Sequence, residues 1–142
     1  MTPQQITARM LERDAFSRWL GVEVLEVGFG ESRIAFTVRA EMSNGHGTAH
    51  GGIAHAAADS AFAFACNSHG VRAVAAETSM SYLRPLYVGD RVELHATEEH
   101  RGRKLGRYRI AITRDGEPVA RFFATCYYLD ARWGDEPEEA VD

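Results

Sequence analysis

The stretch that decides the fold is SNGHGTAHGGIAHAAADSAFAFACNSHG, Ser43 to Gly70. It opens on Asn44 in a glycine- and histidine-rich loop, then turns into an alanine-rich apolar run. The loop residues favour turns, and the run reads as a helix from about Gly52 to Asn67. Ile53, Ala54, Ala56, Ala57, Ala58, Ala61, Phe62, Ala63, Phe64, Ala65 and Cys66 make it apolar almost all round. A helix of that kind is a core element, and its alanines let neighbouring backbone come close. One acid, Asp59, stands in its middle. A charge in such a setting is costly unless it is paired or used.

The flanking sequence supplies what packs on this helix. Thr2, Pro3 and Gln5 form a capping box with proline at the first helical position. One helix or two short ones follow, ending at Gly21, with Ile6, Met10, Phe16, Trp19 and Leu20 as an irregular apolar face. Val22 to Ala40 holds two β-rich runs around a glycine-containing turn, the pattern of a hairpin. After the helix come four strand patterns: Ala73–Leu83 before Pro85, Asp90–His100, Lys104–Arg114 and Glu117–Leu129. Asp115-Gly116 is a strong hairpin turn between the last two. Helix, two strands, one long apolar helix and four strands predict an α+β fold, an antiparallel sheet curled round that helix.

Composition sets the outer limits. At 142 residues the chain is one ordinary domain with room for a real core. No apolar run is long enough for a membrane span. The N-terminal residues MTPQQITARMLERD lack the pattern of a secretory signal, so the expected compartment is the cytoplasm, with Cys66 and Cys126 as reduced thiols. The net charge of -4 is concentrated at the end, where six acids face Arg132 alone from Asp130 onward. The reading is therefore a domain over residues 1–130 and an acidic, flexible tail over 131–142. The body is not basic enough to predict a nucleic-acid partner.

The runs NGHGTAHGG, ADSAFAFACNS and YLRPLYVGD together resemble the hotdog-fold acyl-CoA thioesterases of the phenylacetic-acid-degradation (PaaI) type. The resemblance spans about Phe16 to Tyr128. It implies a hotdog fold, hydrolysis of CoA thioesters without metal or cofactor, and assembly as homodimers or dimers of dimers. It also implies roles for single residues. The first glycine after the histidine, Gly51, donates its amide to the oxyanion, and Asn44 helps hold the water or substrate. His50 matches the histidine before the glycines and reads as a residue that shapes the loop. Some relatives carry Ser or Thr near the position of Ala75, a departure that leaves the detail of their mechanism untransferred.

The residues support this chemistry on their own terms. Thioester hydrolysis needs an activated water or nucleophile, a donor for the developing oxyanion and a grip on the substrate. Asp59 is the acid available in the helix. The amide of Gly51 or Gly52 lies at the helix N-terminus, where free donors and the positive end of the dipole favour an anion. Gly51 to Asp59 is eight residues, roughly 12 Å along a helix. One carbonyl cannot reach both groups of one chain. Two antiparallel helices related by a two-fold axis would bring Gly51 of one chain to Asp59 of the other, in two equal sites.

Other readings compete. Asp59 could be structural, paired with His55 one turn earlier, and Asn44 could be turn chemistry alone. His46 and His55 read as packing or surface residues. His50 and His55 lack the spacing of a helical metal pair, so no metal is expected. Arg101, Arg103, Lys104 and Arg107 could be a solvated hairpin or a clamp for the CoA phosphates, with Arg84 a second candidate near the channel. The acyl group is expected to be phenylacetyl or hydroxyphenylacetyl; the alternatives are a broad short- or medium-chain hydrolase and, in a different class, a non-catalytic acyl-CoA sensor. A hotdog hydratase is a weaker alternative, because no His-Asp or His-Glu dyad stands in the arrangement those enzymes use.

Overall fold

A computed structural model describes residues 1–135 of the chain. The N-terminal segment forms two helices, α1 (Pro3–Arg13) and α2 (Ala15–Leu20). Both halves of the capping box are present: Gln5 N donates to Thr2 Oγ1 at 3.1 Å, and Thr2 N donates to Gln5 Oε1 at 2.8 Å. The break falls at Asp14, which caps α2 by accepting from Ser17 N at 2.9 Å. Gly21 ends α2 in the left-handed region at φ 74°, where a side chain would be strained.

Two strands, β1 (Glu23–Gly28) and β2 (Glu31–Thr37), form the expected hairpin. The central helix, α3, runs Gly51–Asn67, one residue longer at its start than the sequence pattern gives. Strands β3 (Val71–Tyr82), β4 (Arg91–Arg101), β5 (Leu105–Arg114) and β6 (Glu117–Arg132) complete a six-stranded antiparallel sheet. Its order is β1-β2-β4-β5-β6-β3, so β1 and β3 are the edges. The strand after the helix therefore crosses to the far edge and pairs with the last strand.

The sheet wraps one side of α3. Ile34, Phe36, Val92, Leu94, Ile110, Ile112 and Phe122 bury one face of the strands against Ala57, Ala58, Ala61, Phe62 and Ala65. Burying each such large side chain is worth about 1.5–3 kcal/mol. Within one chain the helix is not covered all round. Gly52 and Asp59 are exposed and Ala56 and Ala63 half-buried, spaced to lie along one face. The edge strand β3 is open as well, with Val74 to Glu77 exposed in succession.

The N-terminal helices differ from the sequence reading. Ile6 and Leu20 are fully buried, but Phe16 and Trp19 are exposed, and Ser17 takes the buried position on α2. A hydroxyl is tolerated there because it is fully partnered (below). Cys66 and Cys126 are free and buried. The end of the chain also differs, because β6 continues to Arg132. Trp133 docks by donating its Nε1 to Asn67 Oδ1 at 2.9 Å, under the guanidinium of Arg72. Residues 131–133 thus belong to the folded body, and the rest of the expected tail from residue 136 lies outside the described residues.

Candidate active site

The Asn44–His50 loop delivers the chain into the head of α3. Asn44 organises it. Its Oδ1 accepts from His46 N at 2.9 Å and Thr48 N at 3.1 Å, while its Nδ2 donates to Thr48 Oγ1 at 2.9 Å. These bonds match the turn reading of Asn44, although the residue also lines the cleft described next. His50 is the N-cap of α3, and its Nδ1 accepts from Gly52 N at 2.9 Å. That bond fixes the Nδ1 atom as an acceptor and caps the first turn of the helix.

The consequence falls on the two glycines. The Gly52 amide is engaged by His50, whereas the Gly51 amide makes no hydrogen bond among the described residues. Of the two donors the sequence offers, Gly51 is the one left open for a developing oxyanion. Tyr82, at the end of β3, holds the same residue from the other side by donating its hydroxyl to Gly51 O at 2.9 Å. A Cβ at residue 51 would stand 3.3 Å from that hydroxyl, so the tyrosine is seated against the bare glycine backbone. Tyr82 opens the run YLRPLYVGD, but nothing in the sequence assigns it a role of its own; its contact with Gly51 depends on β3 crossing to the far edge.

Asn44, His50, Gly51, Tyr82 and Arg84 share one cleft of about 340 Å³ whose apolar wall includes Ala54, Leu86 and Val119. Arg84 sits at its rim, half-exposed, with Nη1 3.2 Å from Glu117 Oε1. Asp59 is not part of this cleft. It lies two turns further along α3, on the open face. Its carboxyl is raised above the ordinary aspartate value by desolvation from the packed helices around it; His55 pulls it down and Asp14 pushes it up. His55 makes no hydrogen bond to Asp59. Its Nε2 lies 3.2 Å from Thr78 Oγ1 on β3, and its ring packs edge-on against Phe122. The structural pairing of Asp59 with His55 is therefore absent, and Thr78 supplies a hydroxyl on the strand where Ala75 has none.

The basic hairpin sits elsewhere. Lys104 O accepts from Tyr128 N at 2.8 Å, and Tyr128 pairs with Ala73, whose O accepts from Asn67 at the end of α3. Arg101, Arg103 and Lys104 thus stand at the C-terminal end of the helix, and Gly51 at its head. Over 17 residues the two ends are about 25 Å apart. Lys104 also leans on Tyr127, with Nζ 3.5 Å from the hydroxyl. Among the described residues no three His, Cys, Asp or Glu side chains converge as a metal ligand set, and no helix is long and apolar enough to cross a membrane.

Comparison with known proteins gives this arrangement its family. The family model of the thioesterase superfamily matches residues 46–120. The acyl-coenzyme A thioesterase PaaI of Escherichia coli (strain K12) is 38% identical over 114 residues, 80% of this chain and 81% of that protein. The solved structure of PaaI from the E. coli phenylacetic acid degradation operon superposes with a TM-score of 0.89 at 35% identity, over 92% of this chain and 95% of that one. The TT0310 protein of Thermus thermophilus is 46% identical with a TM-score of 0.80, over 82% of this chain and 99% of that one. The fold is the hotdog thioesterase fold, and the chain belongs to the thioesterase superfamily of thioester hydrolases as a homologue of acyl-coenzyme A thioesterase PaaI.

Proposed function

We propose that the chain hydrolyses acyl-CoA thioesters, with aryl-acetyl groups such as phenylacetyl or hydroxyphenylacetyl as the acyl class, in sites shared between two copies of the chain. The observation that carries this is the open Gly51 amide and the exposed Asp59 on one helix, roughly 12 Å apart along its axis. Neither group makes a hydrogen bond among the described residues, and one carbonyl cannot use both unless a second helix supplies one of them. The open face of α3 and the open edge of β3 offer a self-complementary surface for that second copy. A long exposed edge strand is otherwise a liability. Two such dimers joining into a tetramer extends the same reading, as does a place in the cytoplasm. The aryl-acetyl choice rests on the homology to PaaI of the phenylacetic acid degradation operon.

In this reading Asp59 of one chain takes a proton from water, and the water oxygen adds to the thioester carbonyl carbon. The negative charge moves to the carbonyl oxygen, where the Gly51 amide of the other chain and the helix dipole meet it. Collapse breaks the C–S bond, and the CoA thiolate leaves with the proton. A carboxyl of raised basicity suits the role of base. In the same reading Arg84, which lines the Gly51 cleft, holds a CoA phosphate. The basic hairpin cannot serve the Gly51 of its own chain. In an antiparallel helix pair, the hairpin of the chain that supplies Asp59 lies beyond the head of the other helix, on the side where the nucleotide would emerge.

The test is release of free thiol from a panel of acyl-CoAs. Phenylacetyl-CoA is expected to turn over faster than hexanoyl-CoA. Equal rates on the two would favour the broad hydrolase, and binding without thiol release would favour a sensor.

A further inference from the structure

A hydrogen-bond chain ties the N-terminal helices to α3 beside Asp59. Ser17 Oγ donates to Asp14 Oδ2 at 2.5 Å and lies 2.7 Å from Ser60 Oγ. Since the Ser17 proton goes to the carboxylate, the Ser60 hydroxyl donates in the second bond, with Ala56 O at 3.3 Å as a longer, competing acceptor for the same proton. Ser17 and Ser60 are both buried, and Ser60 is the residue after Asp59. We propose that Asp14 is a positioning residue of the reaction: through Ser17 and Ser60 it clamps α2 onto α3 beside Asp59, and it sets a second negative charge in the field of that carboxylate. The inference rests on Asp59 being the base.

The groups that bear on Asp59 are His55, one turn earlier on α3, and Asp14, at the head of α2. They act in opposite directions, so removing one unbalances the other. A like charge nearby makes ionisation harder and the ionised form more basic. The exposure of Phe16 and Trp19 fits the same picture. This polar chain and the buried Leu20 hold α2 on its inner side, Arg39 donates to Trp19 O and stacks on its ring from outside, and Phe16 and Trp19 remain exposed.

The experiment compares the pH profile of kcat/KM on phenylacetyl-CoA for wild type, Asp14→Asn and Ser60→Ala. Asp14→Asn keeps an acceptor for Ser17 N, so α2 retains its cap; Asp14→Ser, also a good cap, carries the same test should the first variant unfold. The uncharged variant is expected to move the acid limb to lower pH and to lower the plateau about two-fold. Ser60→Ala breaks the clamp but leaves both carboxylates, so it is expected to lower the plateau without moving the limb. An acid limb at the wild-type position in a folded Asp14→Asn or Asp14→Ser variant overturns the proposal. Asp59→Asn is measured alongside: if it retains activity, the underlying assignment of the base has failed, whereas an inactive Asp59→Asn with an unmoved Asp14→Asn profile defeats this inference alone.

Discussion

His50 Nδ1 accepts the Gly52 amide at 2.9 Å, and among the described residues the Gly51 amide is left without a hydrogen bond. In the proposed mechanism the histidine acts through the backbone. His50→Ala should cost about 0.5–2 kcal/mol of stability as a lost cap and should lower kcat by loosening the Gly51 peptide. His50→Asn, whose Oδ1 can accept from Gly52 N, should recover part of both. Measured by thermal melts and kcat, a failure of Asn to recover either quantity would mean that the imidazole itself takes part in the reaction.

Asp59 joins function to a stability cost. Desolvation raises its carboxyl in the folded state, with Asp14 adding to the rise and His55 opposing it. The fold therefore favours the protonated form. That contribution to stability is complete below the ordinary aspartate value of 3.8 and is lost as pH rises through the raised value. Asp59→Asn removes the ionisation. It should melt higher than wild type at pH 7, and the gap should close as the solution is acidified. Its turnover should fall by about 10²–10⁴-fold, the usual cost of losing a general base. A variant less stable than wild type at pH 7 would show that the charge is compensated by partners.

The basic hairpin and Arg84 can be separated by substrate. A grip on the CoA phosphates contributes alike to ground and transition states, so its loss raises KM more than it lowers kcat. Changing Arg101, Arg103 and Lys104 together to Ala should raise KM for acyl-CoA and weaken the salt dependence of kcat/KM, with kcat within a few-fold. Arg84→Ala should act in the same direction. Phenylacetyl-N-acetylcysteamine, which has no phosphates, should be treated alike by wild type and variants. Equal effects on both substrates would return the hairpin to a solvated turn.

The fold was legible because its signals are local. The capping box at Thr2, the apolar run from Ile53 to Cys66 and the Asp115-Gly116 turn each act within a few residues, and each appears where the sequence puts it. Of the candidate site, the sequence offers the eight-residue spacing of Gly51 and Asp59 on α3 and the residues Asn44, His50 and Arg84, which the structure gathers with Gly51 in one cleft. What escaped the sequence depends on contacts between distant segments. Tyr82 reaches Gly51 because β3 lies at the edge of the sheet beside β6. Ser17 is buried and Trp19 exposed because Asp14 and Ser60 fix the rotation of α2, which six residues of hydrophobic pattern cannot. The hairpin's place at the far end of α3 follows from strand order, which no local pattern records.

The central claim is a site built from two chains, and subunit mixing tests it most directly. Gly51→Pro removes the open amide where the backbone suits proline, since residue 51 is the first of α3 and His50 before it is extended with ψ 136°; the new Cβ would stand 3.3 Å from the Tyr82 hydroxyl, so a fold check on this variant accompanies the test. Asp59→Asn removes the base. Each variant alone should be inactive. After subunit exchange, hybrids confirmed by native mass spectrometry hold one intact site, with Gly51 from one chain and Asp59 from the other. Random pairing should restore about a quarter of wild-type activity. Hybrids that form in that proportion and hydrolyse no phenylacetyl-CoA would contradict a shared site.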